Sequence, residues 1–397
     1  MSIEQASQRR VVGAMSGTSL DGIDVAVVDL QGSGLALEQT LVAFDTIPYA
    51  ATLRDSIIRA SHPDTARLDE LIDLGIRLAH AYADAIGSVF EQVPGGRDTV
   101  GLVGAHGQTI WHMPTRELRG GPGAEGGSYQ LLNLSVLAQR LGLPVVGDFR
   151  SADLAVGGEG APLVPYYDYV TFQHAHQNRL LLNLGGIANI TVLPAAGGLD
   201  TVHAFDTGPA NMVIDQLAQR LFDQPFDPSG SLAAQGTSDL ALLDALLSHP
   251  YFGQAPPKST GRELFGASYV DDLLSTANQI GSEPGLSSHD ILATATRLTA
   301  ASIHEAVDRW ADVRPNALHE VIVGGGGWHN LTLRSDLQSF FPKAQVTSTA
   351  DFAIDPDAKE AICFAVLAHE RLLGVSTNVP RVTGAKRPVG LGVLVHP

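Results

Sequence analysis

The chain has 397 residues, 44% hydrophobic and 17% charged, with a formal charge of −17. That length supports two domains with complete cores, and so acidic a balance excludes nucleic acid and anionic membrane as partners, leaving any phosphate to be held by local donors and a metal. A single cysteine, Cys363, in the apolar run 361–366, excludes a disulfide framework and reads as buried filler.

The apolar run before Ser16 is too short for a signal peptide, and no stretch reaches membrane-spanning length. The cytoplasm is therefore the expected location. Residues 11–30 read as strand, tight turn and strand, with Gly17, Thr18, Ser19, Leu20, Asp21, Gly22, Ile23 and Asp24 at the turn and the start of the return strand. Gly17 and Gly22 allow close backbone approach to a ligand. Thr18 and Ser19 add hydroxyls, and Asp21 and Asp24 can hold a metal directly or through water. Such a tip suits a phosphate carrying Mg²⁺. Alone, it reads as an ordinary polar hairpin.

Residues 51–92 are predicted helical, with Leu68, Leu71, Ile72, Leu78, Tyr82, Ile86 and Phe90 at three-to-four spacing and Asp64 and Thr65 as caps. Residues 99–105 form a buried strand, and His106, Gln108 and Thr109 follow its end, where α/β proteins place ligands. His106 has an alternative role, capping its own turn. Gly121–Gly126 matches G-x-G-x-x-G, but it follows no strand, opens no helix and contains Pro122, so a dinucleotide site is rejected. A helix at 131–141 and a strand at 144–146 lead to Asp148, Arg150 and Asp153, and then to the glycine-dense stretch 157–165 that includes Gly160. That density brings backbone close to a ligand or to other backbone.

Residues 180–193 repeat the opening pattern, with Gly185 and Gly186 at the tip and Asn189 on the return strand. Asp206 stands between a strand and a helix at 212–221, either as an N-cap stabilising by about 1 kcal/mol or as a catalytic carboxylate. The loop 256–263 concentrates two cations, Lys258 and Arg262. A helix is predicted at 291–310, and a strand at 320–323 runs into Gly324, Gly325, Gly326 and Gly327, more glycine than a structural turn needs. Lys359 and Glu360 open a last apolar helix at 361–373. Phosphate-loop, zinc-protease, zinc-ribbon and α/β-hydrolase motifs are absent.

Two hairpins followed by a strand–glycine loop resemble the order in actin, hexokinase and heat-shock ATPases. The motifs at 15–24, 106–109, 147–153, 160–165, 184–189, 205–209, 257–263, 324–326 and 382–385 together resemble the anhydro-N-acetylmuramic acid kinase family, in family order along nearly the whole chain. The resemblance implies an α/β, two-lobed actin/hexokinase-like (ribonuclease-H-like) fold with a central cleft. Residues 1–178 would form one lobe and 179–397 the other, the C-terminal tail able to pack back on the first. It implies a kinase that uses ATP and Mg²⁺ to open a 1,6-anhydro bridge and phosphorylate the 6-oxygen. Gly17–Asp24, Gly185, Gly186, Asn189 and Gly324–Gly326 would bind nucleotide. His106, Gln108, Thr109, Asp148, Arg150, Asp153 and Gly160 would bind sugar, Asp206 would activate water, and Glu360 would lie in the magnesium environment. A homodimer is compatible with this reading.

Three departures from the family pattern stand out: Glu159 in the sugar loop, the segment Tyr129–Asn133 without its usual glycine, and Trp328 in place of a small residue. Levoglucosan kinase, a relative lacking the same segment, is therefore the alternative. A non-sugar actin-like ATPase is the further one, opposed by Asp206 and the 147–150 segment.

Overall fold

The computed structural model describes residues 8–17, 20–113, 126–280 and 285–397. The chain divides into two compact units, Met1–Thr171 with Ala358–Pro397, and Phe172–Asp357. In the first unit, β1 (Arg9–Ser16), β2 (Gly22–Gln31) and β3 (Glu38–Pro48) form an antiparallel meander. On the other side of β1 lie β4 (Leu102–Met113), parallel to it; β5 (Gly127–Leu131), antiparallel to the outer half of β4; and β6 (Val145–Gly147), parallel to β4. The terminal strand Val393–Val395 pairs antiparallel with β6.

The second unit repeats this order. Strands β7 (Arg179–Leu184), β8 (Ile187–Leu193) and β9 (His203–Pro209) form the meander; β10 (Glu320–Gly324) runs parallel to β7 and β11 (Gln345–Ser348) parallel to β10. Three antiparallel strands continued by two parallel ones, on the first strand's free side, is the ribonuclease-H-like arrangement. It occurs here once per unit, and the fold is mixed α/β as expected. Val321, Ile322 and Val323 are completely buried, as a strand covered on both faces requires.

Several local expectations change. The stretch 51–92 is helical as expected, in two helices, Ala51–Ala60 and Leu68–Phe90, but their caps differ. Neither Asp64 nor Thr65 caps the second, whose N-cap is Arg67; the Thr65 hydroxyl instead donates to the Arg59 carbonyl at 2.6 Å. Leu68 and Ile72 lie on its open side, 83% and 72% exposed. The next helix begins only at Leu134, because Asn133 accepts the Val136 N–H and residues up to Leu131 pair with β4. That same pairing extends β4 to Met113, so His106, Gln108 and Thr109 sit inside a strand and not beyond its end.

The helix Lys359–Leu372 packs on β1 and β4 of the first unit. Glycines in those strands make room for it. A Cβ at Gly13 would lie 1.8 Å from the Ala361 carbonyl oxygen, and one at Gly104 would lie 2.2 Å from that of Phe364. Cys363 is completely buried in this helix, and burial raises its thiol well above the usual range. The buried Lys359–Asp168 ion pair, at 2.7 Å, anchors the helix start. Gly13→Val is expected to destabilise the protein by about 3 kcal/mol or more, since backbone lies where the side chain must go; the urea unfolding midpoint measures this, and an unchanged midpoint would contradict the packing described. Among the described residues no helix is long and apolar enough to cross a membrane.

Candidate active site

The first hairpin joins β1 to β2. Thr18 and Ser19 lie outside the described residues. The Gly17 carbonyl accepts the Leu20 N–H at 3.4 Å, and Leu20 holds φ +61°, an uncommon conformation for a residue with a side chain. Asp21 is exposed, while the carboxylate of Asp24 accepts the Thr46 hydroxyl at 2.7 Å. Ile23 points into the core. A Cβ at Gly22 would come within 2.5 Å of the Ile47 carbonyl oxygen, so strand β3 by itself demands this glycine.

Arg150 organises the residues expected around the sugar. Its Nε donates to His106 Nε2 at 3.2 Å and its Nη1 to the Gly160 carbonyl at 2.9 Å. Arginine only donates, so His106 Nε2 is an acceptor, and the ring proton sits on Nδ1, donated to the Gly107 carbonyl at 2.9 Å. Burial, with Arg150 adding to it, pulls the imidazole down to about 3, which keeps it neutral. Both ring nitrogens are engaged, and the ring lies 4.6 Å from that of Phe364. His106 therefore caps its own turn and holds Arg150 in place at once. Burial lowers Arg150 to about 10, with Glu360 opposing the shift. Arg150 Nη2 has no hydrogen-bond partner among the described residues.

The neighbouring carboxylates behave differently from one another. Asp153 is completely buried; one oxygen accepts the Gly160 N–H at 2.9 Å, and the other accepts Asn378 Nδ2 and the Thr383 hydroxyl, both at 2.8 Å. It ties the glycine loop to the segment 378–385, and Gly158 packs so tightly that a Cβ there would lie 2.1 Å from its oxygen. The Glu159 N–H reinforces the tie by donating to the Thr383 carbonyl at 2.9 Å. Asp148, at φ +51°, accepts the Ser151 N–H and hydroxyl through one oxygen. The Thr109 hydroxyl accepts Gln130 Nε2 at 3.3 Å. Gln108 is completely buried and directed at the first hairpin.

In the second unit, Gly185 and Gly186 form the tip between β7 and β8. Their carbonyls accept the N–H groups of Asn211, Ala210 and Met212, fastening the tip to the start of the helix Asn211–Phe222. Asn189 pairs in register with Asp206. Asp206 lies within β9, and the N-cap of the helix is Ala210, so the capping role is excluded. Its carboxylate accepts the Thr260 N–H at 2.9 Å, its N–H donates to the Lys258 carbonyl at 3.3 Å, and its carbonyl accepts the Tyr251 hydroxyl at 2.9 Å. The buried Lys258 ammonium donates to the Tyr251 carbonyl and lies 4.5 Å from that ring's centre. Burial lowers it to about 8, and Asp206 pulls in the other direction. Lys258 and Thr260 lie in the stretch already marked by its paired cations; Tyr251 carries no sequence signal.

Gly324 ends β10. Gly325, at φ +79°, passes over the end of β7, where a Cβ would lie 2.7 Å from the Asn183 side chain and 3.1 Å from the Leu184 backbone. Gly326 is open to solvent, and the Trp328 ring beyond it is covered by the Arg334 guanidinium at 3.7 Å. Residues 121–125 of the rejected dinucleotide motif lie outside the described residues.

Residues 9–397 match the family model described as anhydro-N-acetylmuramic acid kinase. A Salinibacter ruber protein of that name is 52% identical, the alignment covering 100% of this chain and 98% of that protein. Proteins of the same name from a Cyanothece species (43%; 97% and 98% covered) and from Caldanaerobacter subterraneus (38%; 98% and 98%) are also similar.

Proposed function

The chain belongs to the anhydro-N-acetylmuramic acid kinase family, and from that premise we infer that it hydrolyses the 1,6-anhydro bridge of anhydro-N-acetylmuramic acid and phosphorylates the freed 6-oxygen with ATP, giving N-acetylmuramic acid 6-phosphate. The observation that carries the mechanism is the Asp206 carboxylate, held at a strand position by a backbone N–H and accompanied by the buried Lys258. A bridged sugar has no 6-hydroxyl proton for an ordinary kinase base to remove. Asp206 instead takes a proton from water as its oxygen bonds to the anomeric carbon, as the base of an inverting glycosidase does. The bond from that carbon to the bridging oxygen breaks, the oxygen takes the γ-phosphoryl group, and ADP departs. The phosphoryl group replaces the second carboxylate that an inverting glycosidase uses as its acid.

The first hairpin, Gly185, Gly186 and Gly324–Gly326 are assigned to the nucleotide. Arg150, whose Nη2 has no hydrogen-bond partner among the described residues, is assigned to the lactyl carboxylate, and Asp148 and Thr109 to sugar hydroxyls. His106, Asp153 and Gly160 act behind them, orienting Arg150 and the loop. Among the described residues no cluster of three or more carboxylate, imidazole or thiol groups forms a metal cage. Mg²⁺ keeps several waters and takes only one or two carboxylates beside substrate phosphates. Glu360 is assigned to it, and the ion would neutralise charge on the transferring phosphoryl group.

Glu159 and the altered segment 129–133 keep levoglucosan as the competing substrate. A site that bonds the lactyl and N-acetyl groups is expected to prefer anhydro-N-acetylmuramic acid by about 10⁴ in kcat/KM, because their absence leaves buried polar groups unpaired. A preference of only ~10–100-fold, or for levoglucosan, would replace the substrate assignment. Coupled ADP-release assays on the two sugars decide it.

A further inference from the structure

Gln108 is a buried polar group that the mechanism above leaves unused. Its place follows from an irregularity in β4. Ala14 pairs with Ala105, but Ser16 pairs with Gln108, so β4 carries one extra residue opposite β1. Such a bulge re-aims side chains; Gly107, at φ +77°, supplies the conformation it needs. Gln108 consequently faces the hairpin base. The Ser16 hydroxyl sits 2.8 Å from Gln108 Oε1 and 2.9 Å from the Gly22 carbonyl oxygen, its single proton shared between them. The Tyr49 hydroxyl donates to the same Oε1 at 3.3 Å, and Gln108 Nε2 donates to the carbonyls of Gly17 and Thr109, both at 3.4 Å. Gln108 and Ser16 are 0% and 2% exposed.

We propose that Gln108 is a positioning residue for the nucleotide and not a sugar ligand: with Ser16 it forms a buried clasp that holds the two rims of the first hairpin together and turns the Gly17 carbonyl inward. The physical reason is the sign of the ligand. A carbonyl oxygen at the rim of a phosphate cradle repels the anion unless donors draw it away, and Gln108 Nε2 is the side-chain donor that does so beside the Leu20 N–H. Completely enclosed, Gln108 offers the sugar no surface. The inference rests on the assignment of this hairpin to ATP.

The test is isothermal titration of MgADP and of the anhydro sugar, separately, to the full-length protein and its Gln108→Leu, Ser16→Ala and double variants, with thermal unfolding in parallel. Expected is an approximately tenfold weaker MgADP affinity in each single variant, the size of one lost neutral hydrogen bond behind the cradle, a less than multiplicative effect in the double variant, and unchanged sugar affinity. Weakened sugar binding with normal MgADP binding would overturn the proposal and return Gln108 to the sugar. Equal weakening of both would mark it as merely structural, which also overturns it. If Gln108→Leu does not fold, Ser16→Ala alone decides. Gly17→Val separates the premise from the inference. Normal nucleotide binding in Gly17→Val removes the cradle assignment itself; weak binding there with normal binding in Ser16→Ala removes only the clasp.

Discussion

Asp206→Asn is expected to lower turnover by about 10²–10⁴ while leaving folding and MgATP binding intact. The amide keeps the shape of the carboxylate and can still accept the Thr260 N–H, now 2.9 Å from the carboxylate oxygen. It cannot take the proton of an attacking water. The defect should therefore appear in kcat, with little change in KM for either substrate, the pattern of a group that acts only in the transition state. Isotopic water gives a second readout. With ¹⁸O-water the native enzyme should place label at the anomeric carbon and none in the phosphate. Label in phosphate would mean simple ATP hydrolysis and would refute the bridge-opening mechanism, whatever Asp206→Asn does to the rate.

Gly17→Val is expected to reduce kcat/KM for ATP by about 10²–10³, the loss typical of removing a preorganised donor from a site of developing charge. Gly17 sits at the rim of the first hairpin, with its carbonyl drawn toward Leu20 N–H and Gln108 Nε2. Glycine leaves the backbone N–H groups of the turn open to close approach by a phosphate, and a β-branched side chain there would obstruct it. Sugar affinity and the unfolding midpoint should hold, because the substitution lies outside the strand pairing of β1. Normal ATP affinity and turnover would place the phosphate cradle elsewhere.

The legible parts of the molecule were those in which a local pattern carries its own physics. Both glycine-tipped hairpins, the buried run 320–323 and the Arg150 segment were readable because alternation, β-branching and glycine are properties of neighbouring residues. Roles that depend on the partner were not readable. Nothing in the motifs around His106, Gln108 and Asp153 tells that the first bonds Arg150, the second Ser16 and the third Asn378 and Thr383. No spacing in the chain announces a hydrogen bond across more than two hundred residues.

By itself, then, the sequence determined the α/β class, the two repeated strand–turn–strand elements and membership in a kinase family, since each rests on short-range pattern or on the order of motifs. Tertiary structure alone decided which glycines are required by packing. Gly13, Gly22 and Gly104 are required by backbone of a helix or strand far along or across the sheet. It also decided the state of the polar groups. Asp206 lies in mid-strand with a backbone donor, His106 is neutral because it is buried beside a guanidinium, and Lys258 is pulled down to about 8 by enclosure. Protonation and orientation are set by desolvation and by the neighbour that supplies or withdraws a hydrogen bond, and those neighbours are chosen by the fold.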